Sequence, residues 1–281
     1  MANIRELWAV DLGMIEYKEA LDLQFRLLEA KKSGQLEADL LLLLEHPAVI
    51  TLGLRGNNSN IVATPEQLAK RNIQVHRIKR GGDVTYHAPG QLVGYPIINL
   101  RRVPKRKDVG RFVWAMQEAI IRTLQSYGIN TERIDKVIGV WVRRPALEPP
   151  AAPSRADLPW NDEYRAQIQT MGPRFDDRKI AAIGARIKSW ISFHGFALNV
   201  NTDLSGFNLI VPCGLQDRGV TSMQVELGRT LDMAPIKKEI AERLVEQWGH
   251  ILVWKEKDEL LTLIGDLSPS SGLLEQSVKR V

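Results

Sequence analysis

The chain has 281 residues, 44% hydrophobic and 25% charged, an ordinary globular composition that can bury a substantial core as one large α/β domain or two small ones. Its net charge of +5 favours acidic partners, but the basic residues are scattered and the short run "RRVPKRK" at 101–107 reads as solvated surface, so nucleic acid is not expected as a partner. One cysteine rules out an internal disulfide, and no segment approaches the roughly 18 apolar residues of a membrane span; the acidic start "MANIRELWAVDLGMIEYKEA" lacks the apolar stretch of a signal peptide, so a cytoplasmic chain is expected.

The first predicted element is an amphipathic helix in "EYKEALDLQFRLLEAKKSG", with Leu21, Phe25 and Leu28 on one face and a glycine at its end. "ADLLLLLEH" and "AVITLG" follow as strands; the first is apolar on both faces, so the pair reads as central. "IQVHRIKR" leads into a glycine-rich loop, "RGGDVTYHAPGQ" at 80–91, and "QLVGYPIINL" is the strand after it. In "DVGRFVWAMQEAIIRTLQSYG" seven apolar positions from Val109 to Tyr127 fall at helical spacing, with Asp108 placed to cap the start and Gly128 the end. "KVIGVWVRR", "KIAAIGARIK" and "SFHGFALNVN" are three further strands. Between the first two lies a Pro-rich insertion at about 145–176, too long for a hairpin turn. The helix "APIKKEIAERLVEQWG" comes late, and residues 266–281 read as a polar, flexible tail. The expected architecture is α/β (α+β): a single domain over 1–265, built as a mixed β-sheet with flanking helices.

The glycine loop fits neither phosphate-binding pattern. No Lys-Ser/Thr pair follows Gly90, and the next residues read as a strand where a dinucleotide fingerprint needs a helix. What remains is a backbone that a ligand can approach closely at Gly81 and Gly82, with Arg80 and His87 able to reach the same space; a tight structural turn is the alternative. Cys213, between Pro212 and Gly214 in "LIVPCGLQDRGVTSM", stands at a special backbone position, although a lone cysteine also serves as a small buried hydrophobe. A free thiol has a pKa of about 8.5, so a nucleophilic role needs a neighbour that takes its proton or stabilises the thiolate. Candidates are His46, His87, His194 and Lys179. Lys179, in "DRKIAAIG", sits beside small residues at the start of a strand, where it is either a surface lysine or a group that a ligand reaches. His194 lies in an alternating strand, as a core histidine does, and His46 precedes Pro47 at a strand end. The histidines fit no ligand spacing and there is no second cysteine, so no metal is expected.

Taken together, "LWAVDLGMIEYKEALDLQ", "EHPAVITLGLRG", "RGGDVTYHAPGQLVGYPIINL", "RKIAAIG", "SFHGFALNVN" and "FNLIVPCGLQDRGVTSM" resemble, in this order and over residues 6–250, the lipoyl(octanoyl) transferases, the octanoyl-acyl-carrier-protein:protein octanoyltransferases of lipoate biosynthesis. The resemblance implies the fold shared with biotin and lipoate protein ligases, with Cys213 as the acyl-thioester nucleophile and Lys179 as its partner. It implies an acyl pocket made by Arg80, Gly81, Gly82, Asp83, Val84, Thr85, Tyr86 and His87, by Ala182, Ile183 and Gly184, and by Gly195, Phe196 and Ala197. His46 and His194 are further pocket candidates.

The donor implied is octanoyl-acyl carrier protein. The implied acceptors are the lipoyl domains of 2-oxoacid dehydrogenase complexes and the glycine cleavage H protein, served by a monomer that needs no ATP, metal or other cofactor. Ala88 stands where the family usually has glycine; Pro89 pushes that position toward extended backbone, which alanine tolerates. The insertion is the larger departure. Two alternatives stay open: an ATP-dependent lipoate or biotin ligase of the same fold, needing no cysteine, and a catalytically idle module that binds lipoyl domains. A papain-like thiol hydrolase is more remote.

Overall fold

The computed structural model describes residues 5–103, 107–145, 175–211, 218–266 and 279–280. Cys213, most of the insertion (146–174) and 267–278 of the tail lie outside the described residues. The chain begins with strand β1 (Arg5–Met14), helix α1 (Tyr17–Ser33) and strands β2 (Asp39–Glu45) and β3 (Val49–Leu52). Helix α2 (Pro65–Lys70) and strands β4 (Gln74–Arg77), β5 (Val84–His87) and β6 (Gln91–Ile97) follow, and then helix α3 (Val109–Ser126). Next come β7 (Glu132–Ile134), β8 (Val137–Pro145), β9 (Phe175–Ile183), β10 (Arg186–Lys188), β11 (Ile191–Phe193), β12 (Phe196–Asn199) and β13 (Gly219–Val220). Helix α4 (Met233–Trp248), strand β14 (His250–Lys255) and helix α5 (Lys257–Asp266) complete the main body.

Five consecutive leucines decide the layering. Side chains of a strand alternate between faces, so β2 must be covered on both. Leu41 and Leu43 pack with Phe112, Met116 and Ile120 of α3 and Ile236, Ile240 and Leu244 of α4. Leu40, Leu42 and Leu44 pack with Leu21, Phe25 and Leu28 of α1. In the sheet, β2 lies between β1, parallel, and β6, antiparallel, in the order β14-β1-β2-β6-β12-β9-β8-β7, with β13 beside β9. This is the expected mixed sheet with flanking helices. Leu42→Ala is expected to cost about 2–5 kcal/mol of stability, read as a lower denaturant midpoint; an unchanged midpoint would contradict this packing.

Four sequence expectations are revised. β3 is not central in the main sheet: it joins a small second sheet with β4 and β5, the chain having left the main sheet through 46–48. The second half of the glycine loop is strand β5, antiparallel to β3 with Val49 opposite His87 and Leu52 opposite Val84. "KIAAIGARIK" splits into β9 and β10, which belong to different sheets, because Gly184 donates its N–H to the Gly195 carbonyl (2.8 Å) where the chain turns away. "SFHGFALNVN" likewise breaks into β11 and β12. His194 takes a left-handed φ of 54°, and Gly195 sits so close to the Gly94 carbonyl that a Cβ would collide with it.

The helix ends are as expected: the Asp108 carboxylate accepts from the Arg111 N–H (2.8 Å), and Gly128 follows α3 at φ 80°. β8 and β9 are antiparallel neighbours, paired as far as Pro145 opposite Phe175, so the edges of the insertion are strand. Lys279–Arg280 pair antiparallel with β4.

Candidate active site

The small sheet meets the main one along the glycine run at 80–83. The two backbones pass so closely that a Cβ on Gly81 would lie 3.0 Å from the Ala185 carbonyl oxygen, and one on Gly184 3.0 Å from the Gly81 carbonyl oxygen. Arg80 is buried here. Its Nε donates to Thr51 Oγ1 (3.0 Å), Nη2 to the Thr51 carbonyl (2.8 Å) and Nη1 to the Gly81 carbonyl (2.9 Å), which pins the run onto β3.

Between the sheets opens a cleft. It brings together Arg80, Gly82, Asp83, Val84, Thr85, His87, Lys179, Ala182, Ile183, Gly184, His194, Gly195, Phe196 and Ala197, which sequence reasoning had placed in one site. Gly81 lines an adjoining groove that shares Lys179, Ile183 and Gly184 with the cleft. Tyr86 does not line the cleft. It packs in the satellite core of the small sheet, its ring 5.5 Å from that of Phe207. His46 is fully buried behind the cleft wall, 5.7 Å from the His87 ring.

Sequence reasoning missed Tyr17, Gln91, Tyr95, Ile138, Asn199, Phe207 and Val220, all of which line the cleft. For Gln91, Tyr95 and Asn199 a signal existed: they are polar or amphipathic residues in strands that are otherwise apolar.

Those residues fix the protonation of the imidazoles. Asn199 Nδ2 donates to the Thr221 carbonyl (2.9 Å), so Asn199 Oδ1 faces and accepts from Gln91 Nε2 (2.8 Å). Gln91 Oε1 therefore accepts from His87 Nδ1–H (2.7 Å), which leaves His87 Nε2 unprotonated. By the same logic His46 Nδ1–H donates to the Ile15 carbonyl (2.8 Å), and its Nε2 accepts from the Tyr95 hydroxyl (2.8 Å).

Burial lowers the His46 pKa to about 4. Burial, then the nearby His46, holds His87 at about 3. Burial, then the Arg80 charge, holds His194 at about 3. Burial raises the Tyr17 and Tyr95 hydroxyls above the usual phenol range. The three imidazoles are therefore uncharged at neutral pH, beside the charged Arg80 guanidinium that also lines the cleft.

The sign of the pH effect follows. The unfolded chain takes up protons near 6.5 and the native histidines do not, so stability is lost as pH falls below about 6.5. Each of the three costs roughly 1.4 kcal/mol per pH unit until its own native value is reached. Thermal melts between about pH 7 and pH 5 are expected to show a steep fall in Tm; a flat profile would contradict neutral buried imidazoles.

Lys179 is not the strand-edge surface residue that its sequence context allowed. It lies within β9, opposite Trp141 of β8, with a relative exposure of 7%. Its Nζ stands 4.8 Å from the centre of the buried Trp141 ring. Gly139 makes the room, at a φ of 142° that side chains rarely adopt; a Cβ there would approach Lys179 Cε to 3.3 Å. Gln117 Nε2 holds that glycine by donating to its carbonyl (2.9 Å).

The segment 212–217, which contains Cys213, is outside the described residues; the chain before it is tied to the cleft residue Asp83 through Asn60, and the chain after it reaches the cleft at Val220. On one side the Val211 N–H donates to the Asn60 carbonyl (2.7 Å), and the Asn60 side chain donates to the Asp83 carboxylate (2.6 Å). On the other, Val220 pairs with Lys179 in register and lines the cleft, and the Thr221 N–H donates to the Lys179 carbonyl (3.0 Å).

Among the described residues no cluster of three or more His, Cys, Asp or Glu side chains could hold a metal ion, and no helix is long and apolar enough to cross a membrane.

Residues 16–245 match the model of the lipoyl protein ligase A/B catalytic domain. The chain is 41% identical to an octanoyltransferase of Acidobacterium capsulatum, over 95% of its own length and 97% of the relative's. It is 45% identical to an octanoyltransferase of Chloroflexus aggregans, over 86% and 93%. Among solved structures, a lipoate-protein ligase A bound with ATP superposes with a TM-score of 0.60 at 15% identity, covering 94% of each chain. A bipartite lipoate protein ligase from Thermoplasma acidophilum does so with a TM-score of 0.62 at 14% identity, covering 94% of this chain and 92% of that one. At such identities the likeness is one of fold.

Proposed function

The chain belongs to the lipoyl protein ligase A/B catalytic domain family, as an acyltransferase of the octanoyltransferase kind, and on that premise we propose that it moves octanoyl from acyl carrier protein to the target lysine of a lipoyl domain through a thioester on Cys213. The observation that carries this reading is the buried Lys179 in the lining of the cleft, with the strand that follows the Cys213 segment paired beside it.

The Cys213 thiolate attacks the octanoyl carbonyl, and the bond from that carbon to the carrier sulfur breaks. Lys179 either takes the thiol proton or stabilises the thiolate as an ammonium, and the carrier leaves as a free thiol. The amine of the lipoyl-domain lysine then attacks the Cys213 thioester. A C–N bond forms, the bond to the Cys213 sulfur breaks, and Lys179 conducts the amine proton toward the departing sulfur. Backbone N–H groups of the glycine run polarise the carbonyl in both steps. Exchange of one thioester for another is nearly balanced, and amide formation is downhill, so no nucleotide is needed. Each buried methylene contributes about 0.8 kcal/mol to holding the acyl chain.

The acceptors are lipoyl domains of 2-oxoacid dehydrogenase complexes and the glycine cleavage H protein, acted on by a cytoplasmic monomer without ATP, metal or other cofactor, in the first step of endogenous protein lipoylation. Octanoyl-acyl carrier protein and an unmodified lipoyl domain, mixed with the chain in the absence of nucleotide, are expected to yield the octanoylated lysine. Modification only with free acid, ATP and Mg²⁺ would replace this reading with that of a ligase.

A further inference from the structure

One aromatic ring stands behind both the lysine and the chain that returns from the Cys213 segment. Trp141 is fully buried in β8 and lines neither the cleft nor the adjoining groove. Lys179 Nζ lies over its ring at 4.8 Å from the centre, and the Arg218 guanidinium lies over the same ring at 5.3 Å. Arg218 is the first described residue after 212–217. Its Nη1 also pairs with the buried carboxylate of Asp177, two residues before Lys179 on β9 (3.5 Å).

Strand pairing builds this contact. Val140 lies opposite Ala181 and Trp141 opposite Lys179, so Ile180 is passed over; in regular register Trp141 would face Ile180. A bulge of this kind re-aims the side chains around it. Ile180 and Ala181 both pack into the main core with Val140 and Val142, while Lys179 meets the indole directly across the pair. Gly139 leaves the room: a Cβ there would lie 3.3 Å from Trp141 Nε1 and 3.3 Å from Lys179 Cε. The indole N–H finds no acceptor among the described residues, so the ring face is what Trp141 offers its neighbours. An aromatic face attracts a cation, indole most strongly, and more so where water is excluded. Two cations drawn to one ring repel each other, and the Asp177 carboxylate beside Arg218 offsets that repulsion.

We propose that Trp141 is a positioning residue for the transfer reaction, an aromatic platform that holds Lys179 and Arg218 together and so sets the lysine against the chain leaving the Cys213 segment. The inference rests on the acyl-transfer reading for the roles of Lys179 and Cys213, and adds the residue that aligns them without touching the substrate.

The test is a double-mutant cycle between Trp141 and Lys179, read as kcat and KM for octanoyl transfer. Trp141→Leu is expected to lower kcat about thirtyfold, the equivalent of one desolvated cation–π contact, with KM for the carrier unchanged. In a Lys179→Met background the same substitution is expected to leave the residual rate as it was. Trp141→Phe keeps an aromatic face and gives up the N–H, and is expected to recover most of kcat. Arg218→Gln spares the core should the tryptophan variants misfold, and is expected to lower kcat in the same direction. A second measurement needs no turnover: in protein labelled with ¹³C-lysine, the ring current of Trp141 is expected to shift the Lys179 ε-methylene signal upfield, and Trp141→Leu to abolish the shift. Full activity in Arg218→Gln, or a Trp141→Leu loss as large without Lys179 as with it, overturns the platform, while octanoyl transfer by the wild type leaves the transfer reading standing. A shifted lysine signal in a chain that never modifies a lipoyl domain means the opposite: the ring holds the lysine and the transfer reading fails.

Discussion

Lys179→Met is expected to lower kcat/KM for octanoyl transfer by roughly 10²–10⁴, the range of a positioned acid–base group, while leaving the chain folded. Methionine has nearly the length of lysine and packs well against aromatic rings, so it fills the space above Trp141 that Gly139 opens. The loss would therefore report chemistry and not collapse. Wild-type acylation in this variant would remove Lys179 from the mechanism. Lys179→Arg separates the two roles left open: arginine keeps a positive charge but does not give up its proton at working pH. Retained acylation with a lost second step would mark a thiolate-stabilising cation in the first half and a proton carrier in the second. Loss of both would mark a base throughout.

Cys213→Ala is expected to bring transfer down to the uncatalysed background, and Cys213→Ser to fall nearly as far, because a hydroxyl is far less available as an anion than a thiol near its pKa of about 8.5. Two half-reactions joined by a covalent enzyme also require ping-pong kinetics: varying the carrier at several lipoyl-domain concentrations is expected to give parallel reciprocal plots. Intersecting lines, or full activity in Cys213→Ala, would point to direct attack by the acceptor lysine on the carrier thioester.

Periodicity made much of the scaffold legible. The leucine run of β2 demanded cover on both faces, and the spacing from Val109 to Tyr127 allowed only a helix. The site strands were harder, because their breaks come from contacts distant in sequence. Nothing local in "SFHGFALNVN" announces that Gly195 must clear the Gly94 carbonyl, or that the His194 N–H will donate to Gln24 on α1 (2.7 Å).

Lys179 was ambiguous for the same reason: its burial depends on Gly139 and Trp141 of the neighbouring strand. Tyr17 carries ordinary core patterning and gave no sign of facing a cavity. The pattern of the glycine loop excluded a phosphate cradle and left a ligand wall or a tight turn open, and the family resemblance implied the wall; that half of it is strand, with Tyr86 turned to the opposite side, follows from its pairing with β3.

The covalent intermediate is tested most directly by supplying octanoyl-acyl carrier protein without any lipoyl domain, quenching, and weighing the Cys213 peptide. An added octanoyl mass on that peptide, absent in Cys213→Ala and discharged when an unmodified lipoyl domain is added, is the expected result. A peptide that stays unmodified while the complete mixture octanoylates the lipoyl domain at the full rate would contradict it.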